Sequence, residues 1–191
     1  MTFETILTIL MGIGLSAASG FRIFIPFLVI SIASLSGNLS LGESFTWIGT
    51  VPALITFSVA TVLEIAGYFI PWIDNLLDTI ASPAAVVAGI ILMASVVSGM
   101  SPLLQWTLAI IAGGGIAATV QTLTGVTRAA STVSTGGIGN PAVSTAELGG
   151  SLTLSLMSIF IPVIAGILVL GLMLWGIKIL MNKFSGKRKT S

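Results

Sequence analysis

Apolar residues in this chain run in blocks far longer than a soluble core helix needs, and polar interruptions between them are short. Crossing the hydrocarbon of a bilayer takes about 20 apolar residues as an α-helix. Five segments meet or approach that length: Phe3 to Ser34 with Pro26 inside it, Trp47 to Ile70, Pro83 to Gly99, Pro102 to Gly125, and Ser144 to Met181. The pattern predicts an all-α, polytopic transmembrane helix bundle of about five spans, with six as the alternative count. Residues 1–182 read as one transmembrane domain and 183–191 as a basic tail.

The punctuation supports these cuts. Ser36-Gly37-Asn38 is a turn signal, and Ser131 to Pro141 is the longest Gly- and Ser-rich stretch. Pro52, Pro83 and Pro102 fall near predicted helix starts, where a missing N–H costs nothing. Only a few residues separate Gly99 from Pro102, so the third and fourth segments are expected to form an antiparallel hairpin. Ser144-x-x-Glu147 fits a capping box and predicts a helix start. The last segment is too long for one upright span: ~38 residues make about 57 Å of helix against a core of about 30 Å. A kink or half-helix is expected at Pro162, and a similar break near Gly20.

Composition agrees. Charged residues make up 7% of the chain and hydrophobic ones 55%, whereas a soluble domain carries roughly 25% charged residues. A net charge of +1 argues against nucleic acid as a partner. There is no histidine or cysteine, which removes disulfides, the usual zinc sites and Ser-His or Cys-His catalysis. No cofactor or metal is expected. Five of the seven cations lie between Lys178 and Lys189, so the positive-inside rule places the C-terminus in the cytoplasm of a multi-pass cell-membrane protein. The N-terminal segment lacks the positive start of a secretory signal and reads as a retained helix. Gly12, Gly14, Ala17, Ala18 and Gly20, and Gly113 to Gly115 with Ala117 and Ala118, allow close helix approach within one bundle. Pairing into a homo-oligomer through one of these faces is the alternative.

Charges at membrane depth cost roughly 3 kcal/mol or more each and usually face a partner or a wet cavity. Arg22, Glu64, Asp74, Asp78, Arg128 and Glu147 lie in or beside apolar segments and are the functional leads. Arg22 follows Ser16, Ser19 and Gly20, where a loosened helix would expose backbone N–H groups; together these suit an anion. The competing reading is an ion pair of Arg22 with Glu64 or Glu147 that locks two helices. Asp74 and Asp78 share a helix face, marking either the water boundary or a weak carboxylate pair for a hard cation. Arg128 also follows a Gly- and Thr-rich run. Each arginine region precedes a Pro-started helix carrying a glutamate, and each of these reaches Phe-Ile-Pro at Pro71 or Pro162. This is a weak internal repeat, which as an inverted pair would fit a transporter with a midplane site.

The Gly20-x-Arg22 element, Glu64, Pro71-x-x-Asp74-x-x-x-Asp78, Pro83 with Gly89, Arg128, and Asn140 with Ser144-x-x-Glu147 together resemble the uncharacterised bacterial membrane-protein family called domain of unknown function 4126. Leu148 departs from the family pattern, which has a second acid there. The resemblance implies a multi-span membrane protein and no particular activity. The leading expectation is a small transporter or permease. Arg22, Glu64, Arg128 and Glu147, with Ser19 and Gly20, would bind an anionic small molecule or lipid headgroup; Asp74, Asp78, Asn140 and Ser144 are secondary candidates. A structural membrane protein with helix-locking ion pairs comes second. A lipid-modifying enzyme using Asp74 and Asp78 comes last, since no nucleophile–base pair is visible.

Overall fold

A computed structural model describes residues 2–68 and 70–186; within helices, the side chains of 71–79, 175–177 and 179–186 lie outside the described set. The helices are α1 (Phe3–Phe21), α2 (Phe24–Leu35), α3 (Val51–Tyr68), α4 (Pro71–Val96), α5 (Pro102–Leu108), α6 (Gly115–Thr135), α7 (Asn140–Phe160) and α8 (Pro162–Gly186). A 3₁₀ segment, Glu43–Gly49, precedes α3, and a π-helical segment, Ala109–Gly114, joins α5 to α6 without a break. No strand occurs among the described residues.

The bundle combines an apolar core around Leu15, Ile30, Leu92 and Met93 with many buried serines, and its outer surface is apolar. Ser16, Ser19, Ser31, Ser95, Ser151, Ser155 and Ser158 have no exposed surface. Val51, Ile55, Val59, Val62 and Leu63 on α3, and Leu103, Ile110 and Ile111 on α5 and its π-helical continuation, are more than half exposed. Water would not tolerate that surface, and lipid favours it. Three helical stretches, Phe3–Phe21, Val51–Tyr68 and Pro102–Thr135, are long and apolar enough to cross a membrane, with Phe24–Leu35, Ile80–Val96 and Pro162–Leu174 as shorter apolar helices. The chain is a helical membrane bundle.

Helix α1 is the hub, packing on α4, α6, α7 and α8. Buried serines and glycines make those contacts. Ser16 Oγ donates to the Gly89 carbonyl at 2.9 Å, and Ser151 Oγ to the Ala18 carbonyl at 2.9 Å. Gly20 packs on Ala117 and Val120, and Gly89 on Gly113 and Ala117. The small-residue runs therefore serve packing within one bundle, as the shape of lipid-immersed helices requires.

Contacts along α1 fix the directions. Thr8 meets Ser98, Ser16 meets Gly89 and Ser19 meets Ala85, so α4 is antiparallel to α1. The Gly42 N–H bonds the Ser95 carbonyl at 2.9 Å, which puts the segment after α2 near the start of α1. Since α2 begins right after Arg22, the chain reverses there. The expected break near Gly20 is thus a helical hairpin turning at Arg22 and Ile23, not a kink in one span. Along α7 and α8, Ser151 lies by Ala18, Ser158 and Ala165 by Gly14, and Gly166 by Leu10. These two helices therefore run on in one direction, broken at Ile161 (φ −140°, ψ 60°) before Pro162. With α5 taken with α6 and α7 with α8, the described helices thus alternate in direction along the chain, and three of the helical stretches are long and apolar enough to cross a membrane.

Three expected boundaries shift. Pro83 lies inside α4, which opens at Pro71. The turns containing Asp74, Asn75, Asp78 and Thr79 are too polar for an apolarity scan, yet backbone hydrogen bonding makes them helical. The fourth segment continues past Gly125 to Thr135, because Thr119, Thr122, Thr127 and Ser134 donate to carbonyls one turn back and so fit a helix. It stops at Gly136, whose φ of 64° is left-handed. Helix α7 starts at Asn140, with Pro141 in its first turn, so Ser144-x-x-Glu147 is no capping box. Glu147 turns away from the backbone toward two arginines, described next.

Candidate functional site

The α1–α2 reversal leaves the first N–H groups of α2 without helical partners. The Arg22 N–H still bonds back to the Ala18 carbonyl, closing α1. Ile23 and Phe24 donate their N–H groups to the two carboxylate oxygens of Glu64, at 2.8 and 3.1 Å. Glu64 sits near the end of α3, which runs antiparallel to α2 and stacks Phe57 on Phe27 with ring centroids 5.1 Å apart. A buried acid from α3 thus caps the start of α2. Ser16, Ser19 and Gly20, where a loosened helix is expected to free N–H groups, are instead regular α1 helix, and the N–H groups that meet an anion are those of Ile23 and Phe24, held by the protein's own Glu64.

Glu147 on α7 does different work. Arg128 Nε donates to its Oε1 at 3.0 Å, and Arg128 Nη2 donates to its Oε2. Arg22 Nη2 lies 3.4 Å from Oε2 and donates to the Ser144 carbonyl at 3.1 Å. Of the two partners expected for Arg22, the structure chooses Glu147; Glu64 is occupied by backbone. Tyr68, the one tyrosine in the chain, lies between the arginines. The Arg22 guanidinium carbon is 3.8 Å from its ring centroid and that of Arg128 is 4.0 Å. Cation–π contact on both sides holds the like charges apart as fixed planes without using their N–H groups. Arg22, Arg128, Glu64 and Glu147 are each at most 7% exposed.

Not every donor is used. Arg22 Nε and Nη1, Ser144 Oγ and Thr61 Oγ1 are buried and have no hydrogen-bond partner among the described residues. Thr61 precedes Glu64, and Ser144 precedes Glu147, by three residues on their helices. Sequence reading missed Thr61 and gave Tyr68 no role. The hydroxyl-x-x-Glu spacing shared by α3 and α7, and the uniqueness of the tyrosine four residues after Glu64, were the available signals.

The remaining candidates are placed as follows. Ser19 donates to the Ser16 carbonyl at 2.8 Å and faces Ala85, joining α1 to α4. Gly20 admits α6. Asn140 Nδ2 donates to Thr132 Oγ1 at 3.1 Å, tying the exposed α6–α7 turn. Asp74 and Asp78 are in α4, but their side chains lie outside the described residues, as does most of the basic tail. Among the described residues no group of three or more His, Cys, Asp or Glu side chains could hold a metal ion. The four-charge cluster lies where α1 and α3 finish, about two turns before the end of α6 and two turns after the start of α7. Pro71 and Pro162 do each open a helix straight after a break.

Residues 9–182 match the model of the family described as Domain of unknown function (DUF4126). The chain belongs to this family. DUF4126 carries no assigned activity in its description, and the match spans both arginines and both buried glutamates. No curated relative and no solved structure matches the chain.

Proposed function

We propose that this DUF4126 protein is a small transporter or permease in which Arg22 and Arg128, with Glu64 and Glu147, form an intramembrane site for an anionic solute or lipid headgroup. One observation carries the reading. Among the described residues, the buried guanidinium of Arg22 keeps two N–H-bearing nitrogens, Nε and Nη1, without an acceptor, and Ser144, whose carbonyl accepts from Arg22 Nη2, has a buried hydroxyl that is equally unpartnered. Buried donors in native structures nearly always have partners, and an open set in a low-dielectric site marks a place for one. The cation pair supplies attraction for an anion. Glu147 neutralises the pair when no anion is bound, and either carboxylate is a candidate for a coupling proton. The helix reversal at Arg22 and the break at Ile161 supply backbone that can move between inward- and outward-facing arrangements.

A second reading, a structural protein locked by ion pairs, draws on the doubly held Glu147 and on the Glu64 cap of α2. Uptake of a panel of labelled carboxylates, phosphates and phospholipids into proteoliposomes separates the two. The transport reading expects saturable uptake of one class, lost in Arg22→Gln. Uptake that is undiminished in a folded Arg22→Gln protein overturns it; absence of uptake across the panel, with strong destabilisation by the same substitution, favours the structural reading.

A further inference from the structure

We infer that the Glu147 carboxylate is a built-in occupant of a two-arginine oxyanion site, and that the ligand is a single oxyanion that takes its place. This rests on the transport reading and deepens it by naming the chemistry of the ligand and the residue that competes with it.

The two buried glutamates are held in different ways. Both Glu64 oxygens accept from main-chain N–H groups at the start of α2, so Glu64 belongs to the scaffold and moves only if the helix moves. Glu147 is held by side chains: the Nε–Nη2 edge of Arg128 and Nη2 of Arg22. Side-chain partners can be exchanged by rotation without unfolding a helix. The Arg128 edge presents two N–H groups in parallel, the fork that fits two oxygens on one centre. Tyr68 fixes both guanidinium planes and leaves their edges to choose the ligand.

Donors exceed what one glutamate accepts. Among the described residues, Arg22, 2% exposed, has Nε and Nη1 unpartnered, and Ser144, 1% exposed, has its hydroxyl unpartnered. The Ser144 carbonyl accepts from Arg22 Nη2 at 3.1 Å, which brings the two residues into contact. A carboxylate can fill the Arg128 fork as Glu147 does. A phosphate fills it and brings further oxygens for Arg22 and Ser144. A halide has no second oxygen for the fork. The site therefore selects an oxyanion, as a free ion or as a phosphate-bearing lipid headgroup.

The test is thermal stability of the full-length protein in detergent, titrated with acetate, inorganic phosphate, sodium chloride and a short-chain phosphatidate. Removing the internal competitor in Glu147→Gln is expected to tighten acetate or phosphate binding at least about tenfold over wild type, the worth of one charge-assisted hydrogen bond. Chloride is expected to do nothing, Glu64→Gln to bring no gain, and Arg128→Gln combined with Glu147→Gln to abolish it. Phosphatidate binding more tightly than phosphate assigns the site to a lipid headgroup; equal affinity assigns it to the free anion. If Glu147→Gln does not fold, Glu147→Asp retracts the carboxylate by one methylene and is expected to give a smaller gain in the same direction. Oxyanions that stabilise wild type and either folded Glu147 variant equally overturn this inference and leave the transport reading standing. Oxyanions that stabilise no variant overturn both.

Discussion

Arg22 is the residue on which the site turns, because it ends α1, begins the reversal and lies by Tyr68 and Glu147 at once. Its neighbours carry separable costs. Glu64→Ala strips the acceptor from two main-chain N–H groups, each costing roughly 1–3 kcal/mol when left buried and unpaired. The expected loss is about 2–4 kcal/mol of stability in detergent, read by chemical or thermal unfolding, with Glu64→Gln losing less because one acceptor oxygen remains. Arg128→Gln takes the forked partner from Glu147 and leaves it facing Arg22, and breaking a buried pair on one side is expected to cost about 3 kcal/mol or more. Equal, small losses for both substitutions would contradict the roles drawn here. The charged residues themselves were legible in the sequence, since a charge in an apolar run stands out against its cost. Their pairing was not. Glu64 and Glu147 lie in similar settings along the chain, and only the hairpin at Arg22 decides which acid meets main chain and which meets guanidinium.

At the scale of elements, glycines set how closely helices approach. A Cβ on Gly89 would lie 2.6 Å from Ala117 Cβ and 2.7 Å from the Gly113 carbonyl oxygen, both on the facing helix. Gly89→Ala is expected to force α4 off the π-helical segment and α6 at a cost of about 1–3 kcal/mol. A Cβ on Gly115 would meet nothing within 4 Å. Gly115→Ala is expected to be neutral or to stabilise by up to about 1 kcal/mol through helix propensity. A melting comparison of the two variants checks this, and a similar shift for both would contradict the packing. Ser151→Ala, which removes one hydroxyl link from α7 to α1, is expected to cost only about 0.6 kcal/mol, typical of interhelical hydrogen bonds in membranes. Helix existence was readable from apolar length. Helix ends were read less well where hydroxyls bond their own helix, as from Gly125 to Thr135, or where polar turns are helical, as from Pro71 to Ser82. Hydropathy reports affinity for lipid, not hydrogen bonding.

For the whole molecule, the alternating helix directions place the start of α1 and the end of α8 on one face of the bundle and the α6–α7 turn on the other. We propose, from the positive-inside rule and the cation-rich end of the sequence, that the first face is cytoplasmic. With no native cysteine, single substitutions report sidedness directly. Asn38→Cys is expected to be shielded from a membrane-impermeant maleimide in intact cells, and Ile138→Cys to react. Reaction of both from the same side would contradict the reversal at Arg22. That reversal was the hardest feature to read, because Phe3 to Ser34 is one apolar run and its two halves separate only through long-range contacts with Ser95 and Glu64.

On the proposed function, Arg22 and Arg128 hold a ligand, not merely each other's helices. The most direct measurement is the melting temperature of the purified protein against a graded oxyanion panel, in wild type and in Arg22→Gln. A ligand that binds only the folded state raises stability by RT ln(1 + [L]/Kd). A saturable rise is expected in wild type with one oxyanion class, and none in Arg22→Gln. A flat response across the panel in wild type, with Arg22→Gln merely less stable, would contradict it and leave the buried charges as pins between helices.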